Sequence, residues 1–258
     1  MLKAAWVESD GGDGGDGTWL DVTCTDARLL RTFLSLIGEM LDRSDESGRP
    51  CIDELSEVLE DWRAAISRAR REIARASAIG VFGELVILEK LAISDPMAAL
   101  SAWKGREGHR HDFARTNALE VKTFSGTGSP TVTIHGLRQL DPPTSGRLHL
   151  VAMRIVEEDA GDSLGDLIDR ITALGIPRET LARSLGDDAP EIEDRRRRFT
   201  LEEVRLHAVG DGFPGIRESA LDPSALSGVD SLSYRLNLDA CPGGSLDPGQ
   251  LDRILEEL

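Results

Sequence analysis

The chain has 258 residues, of which 40% are hydrophobic and 29% are charged, and this composition is typical of a globular protein with a substantial core. No stretch approaches the roughly 18 consecutive apolar residues that a membrane span needs. Four acidic residues follow Lys3 where a signal peptide would be basic and then apolar. We therefore expect a cytoplasmic protein that has no membrane partner.

Charge is unevenly distributed along the sequence. The formal net charge is −16, which disfavours contact with phosphate groups, but it divides into −10 for residues 1–62, +6 for residues 63–154 and −12 for residues 155–258. The positive middle section is compatible with a nucleic-acid surface. It is equally compatible with a solvated helix face, because one predicted helix carries five of its arginines: Arg63, Arg68, Arg70, Arg71 and Arg75.

The amino-terminal region predicts a β-hairpin followed by two helices. Strand-like segments at residues 6–7 and 18–22 flank a loop rich in Gly and Asp. Residues 11–16 match one GGxGxD calcium repeat, but a single copy cannot stack into a β-roll, so a flexible loop is favoured. An apolar stripe predicts a helix that begins near Thr25 and Asp26, and a second helix is predicted over residues 53–76. We assign residues 1–76 to this hairpin-helix region.

Cysteine and histidine spacings indicate neither a disulfide framework nor a zinc site. Cys24, Cys51 and Cys241 are odd in number, widely spaced and without a CxxC pair, so we expect thiols packed in the core. His109 and His111 have the spacing of neighbours on a strand, but no third nitrogen or sulfur ligand lies near them. The sequence also contains no GxSxG, P-loop or GxGxxG motif.

A nearly continuous apolar segment predicts a buried helix over residues 79–93. Glu84 lies in the middle of this segment. A buried carboxylate without a partner costs several kcal/mol, so Glu84 needs a cation, a metal ion or hydrogen-bond donors. The alternative, an exposed or arginine-paired Glu84, stays equally open.

Three strands are predicted next, at residues 111–113, 119–123 and 131–135. Alternation along a strand places Glu120 and Lys122 on one face, opposite Leu119, Val121 and Thr123. Asp112 precedes Glu120 by eight positions, which is enough for a strand and a turn to bring it beside the pair. Two carboxylates attract a hard divalent cation, and a lysine beside them can orient water or neutralise developing charge. This combination suits hydrolysis of a phosphodiester.

The remaining elements complete a mixed α/β fold. A turn or short helix at 136–140, a buried strand at 148–155 and a capped helix at 163–171 close the predicted core, which we assign to residues 77–175. Residues 176–258 predict an α/β extension with a helix at 178–185, strands at 205–209 and 233–238, and a helix from Pro248. The four arginines at 195–198 follow three acidic residues and favour a solvated, charge-compensated helix.

The segments GVFGELVILE (80–89), WKG (103–105), HDF (111–113), LEVKTF (119–124) and GLRQLDPP (136–143) together resemble the bacterial PD-(D/E)XK motif protein family of the PD-(D/E)XK nuclease superfamily. The resemblance is densest over residues 79–154, and a weaker match follows at DGFPGI (211–216). This chain has His111 where the family name implies proline. A proline there would only shape the backbone at the start of the strand, so its replacement removes no ligand.

The resemblance implies a restriction-endonuclease-like core and a Mg²⁺-dependent endonuclease, with Mn²⁺ as an alternative ion. In this interpretation Asp112, Glu120 and the carbonyl of Val121 bind the metal, and Lys122 positions the attacking water or stabilises the transition state. Glu84, Gln139 and His111 are additional candidates, chiefly for holding metal or substrate. DNA is the expected substrate, cleaved as a homodimer or in a restriction-like defence complex with other proteins. The alternative is a non-cleaving nucleic-acid-binding or assembly subunit, which the acidic flanking sections favour.

Overall fold

The computed structural model describes residues 2–8, 18–104, 109–126, 128–186, 195–242, 244–245 and 248–258. The chain forms two compact units, Met1–Ile73 and Ala74–Leu258. None of the helices in the described ranges is both long and apolar enough to cross a membrane.

The first unit begins with the predicted hairpin. Strands β1 (Leu2–Glu8) and β2 (Thr18–Cys24) pair antiparallel along their whole length. The GGxGxD segment lies outside the described residues. Helix α1 (Leu30–Ser47) starts later than predicted, because a 3₁₀ turn (Ala27–Leu29) precedes it. A small core formed by Leu36, Leu55 and Val58 holds α1 against the start of the next helix.

The helices predicted at 53–76 and 79–93 are one continuous helix, α2 (Cys51–Ser94). The prediction of two helices was wrong because the change from exposed to buried side chains along the sequence was interpreted as the end of one helix and the start of another. Residues 76–78 (Ala-Ser-Ala) contain neither proline nor glycine, so nothing in the backbone ends the helix there. Its side chains are exposed from Arg63 to Ala69 and largely buried from Ala78 to Leu88.

The second unit combines the end of α2 with further helices and seven strands. The helices are α3 (Pro96–Ala102), α4 (Leu164–Ala173), α5 (Arg178–Leu185) and α6 (Pro248–Glu256). The strands are β3 (Phe113–Ala114), β4 (Ala118–Phe124), β5 (Thr131–His135), β6 (Leu148–Asp162), β7 (Phe199–Val209), β8 (Ser233–Asn237) and β9 (Gly244–Ser245).

A five-stranded mixed sheet has the order β3-β4-β6-β7-β9, with β4 and β6 parallel and the other pairs antiparallel. This is the mixed α/β fold predicted from the sequence, with a restriction-endonuclease-like core. The strand predicted at residues 131–135 is present as β5, but it pairs with β8 in a separate two-stranded sheet. Only Val132 and Ile134 of β5 are buried, whereas β6 buries both of its faces and takes the central place beside β4.

Two hydrophobic cores cover the two faces of this sheet. On one face, Leu119 and Val121 of β4 pack with α2 and the other helices. On the opposite face, Ala118 and Phe124 pack with residues of β5 and β8 and with Phe213. The alternation predicted for residues 119–123 is therefore confirmed, and β4 is fixed between the two cores.

Most carboxy-terminal elements lie close to their predicted bounds, but β7 begins at Phe199, six residues before the predicted strand at 205–209. The predicted helices correspond to α4, which has a Ser163 capping box, and to α5 and α6. The helix predicted at residues 195–198 is absent, because these residues are not helical. Arg195 forms ion pairs with Asp166 and Asp169 of α4, so acidic side chains do balance its charge. Strand β7 belongs to the same sheet as β4, and the division at residue 175 stays a prediction. Cys241 is buried as expected, whereas Cys51 is exposed.

Candidate functional site

The strand β4 carries an ion pair that is almost completely withdrawn from solvent. Glu120 is 0% exposed, and its Oε1 lies 2.7 Å from Nζ of Lys122, whose side chain is 15% exposed. Both side chains leave the strand on the same face, as the period of two requires. The geometry of the pair is therefore set by the backbone of one strand.

Asp112 joins this pair at the edge of the sheet. Within the described strands, β3 pairs with β4 only at Phe113↔Leu119 and Ala114↔Ala118, so its ladder ends before Glu120. Oδ2 of Asp112 instead accepts a 2.7 Å hydrogen bond from the backbone N–H of Val121. The N–H and C=O of one strand residue point the same way, so the carbonyl of Val121 faces the same edge as Asp112.

Glu84 approaches from helix α2 because the helix lies directly on the strand. A Cβ atom at Gly83 would be only 2.6 Å from Cγ2 of Thr123, so the missing side chain permits this contact. The neighbouring Glu84 is half-buried, and its Oε2 accepts a 2.9 Å hydrogen bond from Nε1 of Trp103. Lys104, the residue after Trp103, donates its backbone N–H to the backbone carbonyl of Asp112 at 2.8 Å.

The electrostatics of the site are dominated by burial and by like charges. Burial raises the pKa of Glu120 to about 8, the charge of Asp112 adds to the rise, and Lys122 opposes it. Burial alone would lower the pKa of Lys122, but Glu120, Asp112 and Glu84 outweigh it and raise the pKa. Three carboxyl groups thus interact with one ammonium, and a further cation beside Glu120 would favour its charged form.

The donor set fits a hard divalent ion. Apart from its ion pair with Lys122, neither carboxylate oxygen of Glu120 has a hydrogen-bond partner among the described residues. In the same part of the chain, no three or more His, Cys, Asp or Glu side chains form a group that could hold a metal ion. Two carboxylates and one backbone carbonyl can be enough for Mg²⁺, since this ion commonly keeps several waters and binds one or two carboxylates. Asp112, Glu120 and the Val121 carbonyl supply only oxygen, which suits Mg²⁺ or Mn²⁺.

The hydrogen bonds described for His111 and Gln139 are to residues other than Asp112, Glu120 and Lys122. His111 is buried, and its Nε2 donates to the carbonyl of Asp141 at 3.1 Å. Burial lowers the pKa of His111 to about 4, and the charge of Arg110 contributes to the decrease, so the imidazole is neutral. It lies two residues before β3, which begins at Phe113, so the strand predicted at 111–113 was wrong for His111 and Asp112. Oε1 of Gln139 accepts a hydrogen bond from the backbone N–H of His135 at 2.8 Å.

Gln139 also lines a surface cavity of about 470 Å³, together with His109, Arg110 and Arg138. Arg110 is two residues before Asp112, so their Cα atoms are at most about 7 Å apart. The cavity is therefore lined by a residue that is close in sequence to Asp112. Arg138 is largely exposed at its rim and pairs with Glu218 at 2.5 Å.

Trp103 was not predicted as a site residue, although its indole contacts Glu84. The only available signal was the WKG segment before HDF, because an indole–carboxylate contact between two distant segments has no local pattern.

A family model, DUF4420, described as "Putative PD-(D/E)XK family member", matches residues 3–239. The match includes every residue of the candidate site and nearly all of both units. No curated protein and no solved structure matches the chain significantly.

Proposed function

The chain belongs to the DUF4420 family of PD-(D/E)XK proteins, and on this basis we propose that it is a metal-dependent nuclease that hydrolyses phosphodiester bonds. The buried Glu120 carries the proposal. A carboxylate with no exposed surface, one oxygen without a partner among the described residues and a second carboxylate beside it would be destabilising in a purely structural role. A bound cation removes that penalty.

Asp112, Glu120 and the carbonyl of Val121 would hold Mg²⁺ or Mn²⁺ at the sheet edge. The ion would supply a Lewis acid for the scissile phosphate and lower the pKa of a bound water. Lys122 would direct its ammonium at the water or at the charge that develops on the phosphate, and its burial makes this interaction stronger than it would be in water. Asp112 would keep the strand edge in register through its bond to the Val121 N–H.

DNA is the substrate that the charge distribution supports best. Of the three sections of the sequence, only residues 63–154 are positive, with +6, and they contain all of these residues as well as Arg110 and Arg138. A monomer with one site would nick a duplex, whereas a homodimer would bring two sites to it. The family resemblance further supports a place in restriction-like defence, beside proteins that recognise or unwind the foreign DNA.

The proposal is tested by cleavage of supercoiled plasmid with Mg²⁺ or Mn²⁺. We expect Asp112→Asn, Glu120→Gln and Lys122→Ala each to reduce the rate by about 100-fold or more. Lys90→Ala is the matched control, because Lys90 forms only a surface ion pair with Asp252. Full activity in all three site variants would rule out this assignment.

The second candidate is a non-cleaving subunit that keeps the fold for binding nucleic acid or assembling a complex. The acidic flanks, −10 and −12, favour it because such surfaces suit protein partners better than phosphates. Calorimetric titration with Mg²⁺ separates the two candidates. A nuclease centre should bind the ion in the wild-type protein and lose it in Glu120→Gln, whereas the non-cleaving subunit should bind none at this site.

A further inference from the structure

The middle of helix α2 is a positively charged segment. Residues 63–75 contain five arginines and one acidic residue, which gives them a net charge of +4, whereas residues 1–62 before them carry −10. Every described side chain of residues 63–72 is exposed, and those of Arg63, Arg68 and Arg71 are among them. These three guanidinium groups are therefore accessible to a ligand.

The three arginines have no acidic partner within the described residues. No hydrogen bond or ion pair joins the guanidinium groups of Arg63, Arg68 or Arg71 to another described side chain. Acidic side chains are abundant in this unit, and Arg43 and Arg49 each form ion pairs with two of them. An exposed helix is usually stabilised by opposite charges three or four residues apart, but Arg68 and Arg71 are like charges at this spacing. The stability of the helix therefore does not explain these arginines.

The helical period places the three arginines on one side of α2. At about 100° and about 1.5 Å per residue, Arg63, Arg68 and Arg71 lie within an arc of about 140° and cover about 12 Å of the helix axis. The side chains between them on this side are those of Ala64 and Ser67, which are small. One strand of a DNA duplex carries a phosphate about every 3.4 Å along the duplex axis. Three arginines spread over this length can therefore contact separate phosphates of one strand.

We propose that Arg63, Arg68 and Arg71 form a surface that binds phosphate groups of DNA without reading its base sequence. The inference rests on the nucleic-acid substrate of the proposed function and adds a binding surface outside the candidate metal site. A guanidinium matches the oxygens of a phosphate with two parallel hydrogen bonds, and such contacts carry no information about base sequence. Each arginine that neutralises a phosphate releases bound cations from DNA, so its loss makes binding less dependent on salt.

The test is the salt dependence of DNA binding, measured by fluorescence anisotropy with the full chain and two short labelled duplexes of unrelated sequence. EDTA is present, so that metal-dependent cleavage does not interfere. The slope of log K against log salt concentration should become shallower by about 0.9 in Arg68→Gln and by about 2.7 in Arg63→Gln/Arg68→Gln/Arg71→Gln. The decrease should be the same for both duplexes, because phosphate contacts are independent of sequence. Glutamine has a helix propensity close to that of arginine, so the circular dichroism spectrum should be unchanged.

Arg31→Gln/Arg183→Gln/Arg253→Gln is the charge-matched control. Its three arginines are exposed and lie on α1, α5 and α6, so it removes the same charge from other helices. We expect the slope of this variant to equal that of the wild-type protein. An equal decrease in the control and in the α2 variant would overturn the inference, because net charge alone would then account for the effect.

The outcomes distinguish this inference from the proposed function. An unchanged slope in the α2 triple variant would overturn the inference, and so would a wild-type protein that binds neither duplex. If the wild-type protein cleaves plasmid with Mg²⁺ and the slope is unchanged in the variant, the binding surface is wrong and the nuclease function stands. If the slope falls as expected and no DNA is cleaved with Mg²⁺ or Mn²⁺, the binding surface stands and the non-cleaving subunit replaces the nuclease.

Discussion

Gly80 and Gly83 lie one turn apart on α2, yet we expect alanine to have opposite effects at the two positions. Alanine in place of glycine inside a helix stabilises it by about 0.5–1 kcal/mol. A Cβ atom at Gly80 would meet nothing within 4 Å, so Gly80→Ala should gain this amount in full. At Gly83 the new methyl group would lie 2.6 Å from Cγ2 of Thr123, which is far inside van der Waals contact.

The two terms at Gly83 can be compared directly. Overpacking of a well-packed core costs about 1–3 kcal/mol, and the same propensity gain of about 0.5–1 kcal/mol offsets part of it. Gly83→Ala should therefore lower the free energy of unfolding by up to roughly 2 kcal/mol, while Gly80→Ala raises it. The expected gap between the two variants is about 1–3 kcal/mol.

Urea unfolding followed by circular dichroism measures this gap, provided that the slopes of the transitions agree. Thr123→Ser removes Cγ2 and keeps the hydroxyl, so Gly83→Ala/Thr123→Ser should recover most of the lost stability. Equal unfolding midpoints for Gly80→Ala and Gly83→Ala would refute the argument that Gly83 permits the close contact of helix and strand. Failure of Thr123→Ser to rescue would show that another contact limits the approach.

Three further predictions concern regions away from the site. Ser163→Ala removes the capping box of α4 and should cost about 1 kcal/mol, seen as a lower melting temperature. Arg217 is 8% exposed and donates to the carbonyls of Gly210 and Phe213, so Arg217→Met should destabilise the protein by about 1–3 kcal/mol and make residues 211–216 more sensitive to protease. Burial lowers the pKa of His149 below its usual 6.5, so the unfolded chain binds the proton more readily. Stability should fall as pH drops below about 6.5, and His149→Gln should lose less stability than the wild-type protein between about pH 7 and pH 5.

Local periodicity was sufficient to predict the geometry of β4. Two-residue alternation placed Glu120 and Lys122 on one face, and the two cores flanking the sheet confirm it. The same reasoning succeeded for α5, whose observed bounds, Arg178–Leu185, agree with those predicted. Both features depend on residues that are close in sequence, where the spacing of apolar side chains matches the period of the strand or helix.

The features that the sequence analysis missed depend on distant partners. The alternating pattern of β5 correctly predicted a strand, but no local pattern shows that its partner is β8, about a hundred residues later. The contact between Trp103 and Glu84 likewise joins separate segments. The continuity of α2 was missed for another reason. Its side chains change from exposed to buried near Ala78, but the backbone hydrogen bonds of the helix continue through this point.

The shortness of β3 has a consequence for how the site could be lost. A strand two residue pairs longer, extending to His111↔Val121, would cover the N–H and C=O of Val121 with backbone partners, and the edge of β4 would then be an ordinary part of the sheet. Because β3 has only two residues, the carboxylate of Asp112 accepts the hydrogen bond from the Val121 N–H that a longer neighbouring strand would accept. Small insertions or deletions between Asp112 and Ala118 would therefore be enough to turn the proposed cation-binding edge into a purely structural one while the rest of the fold stays the same.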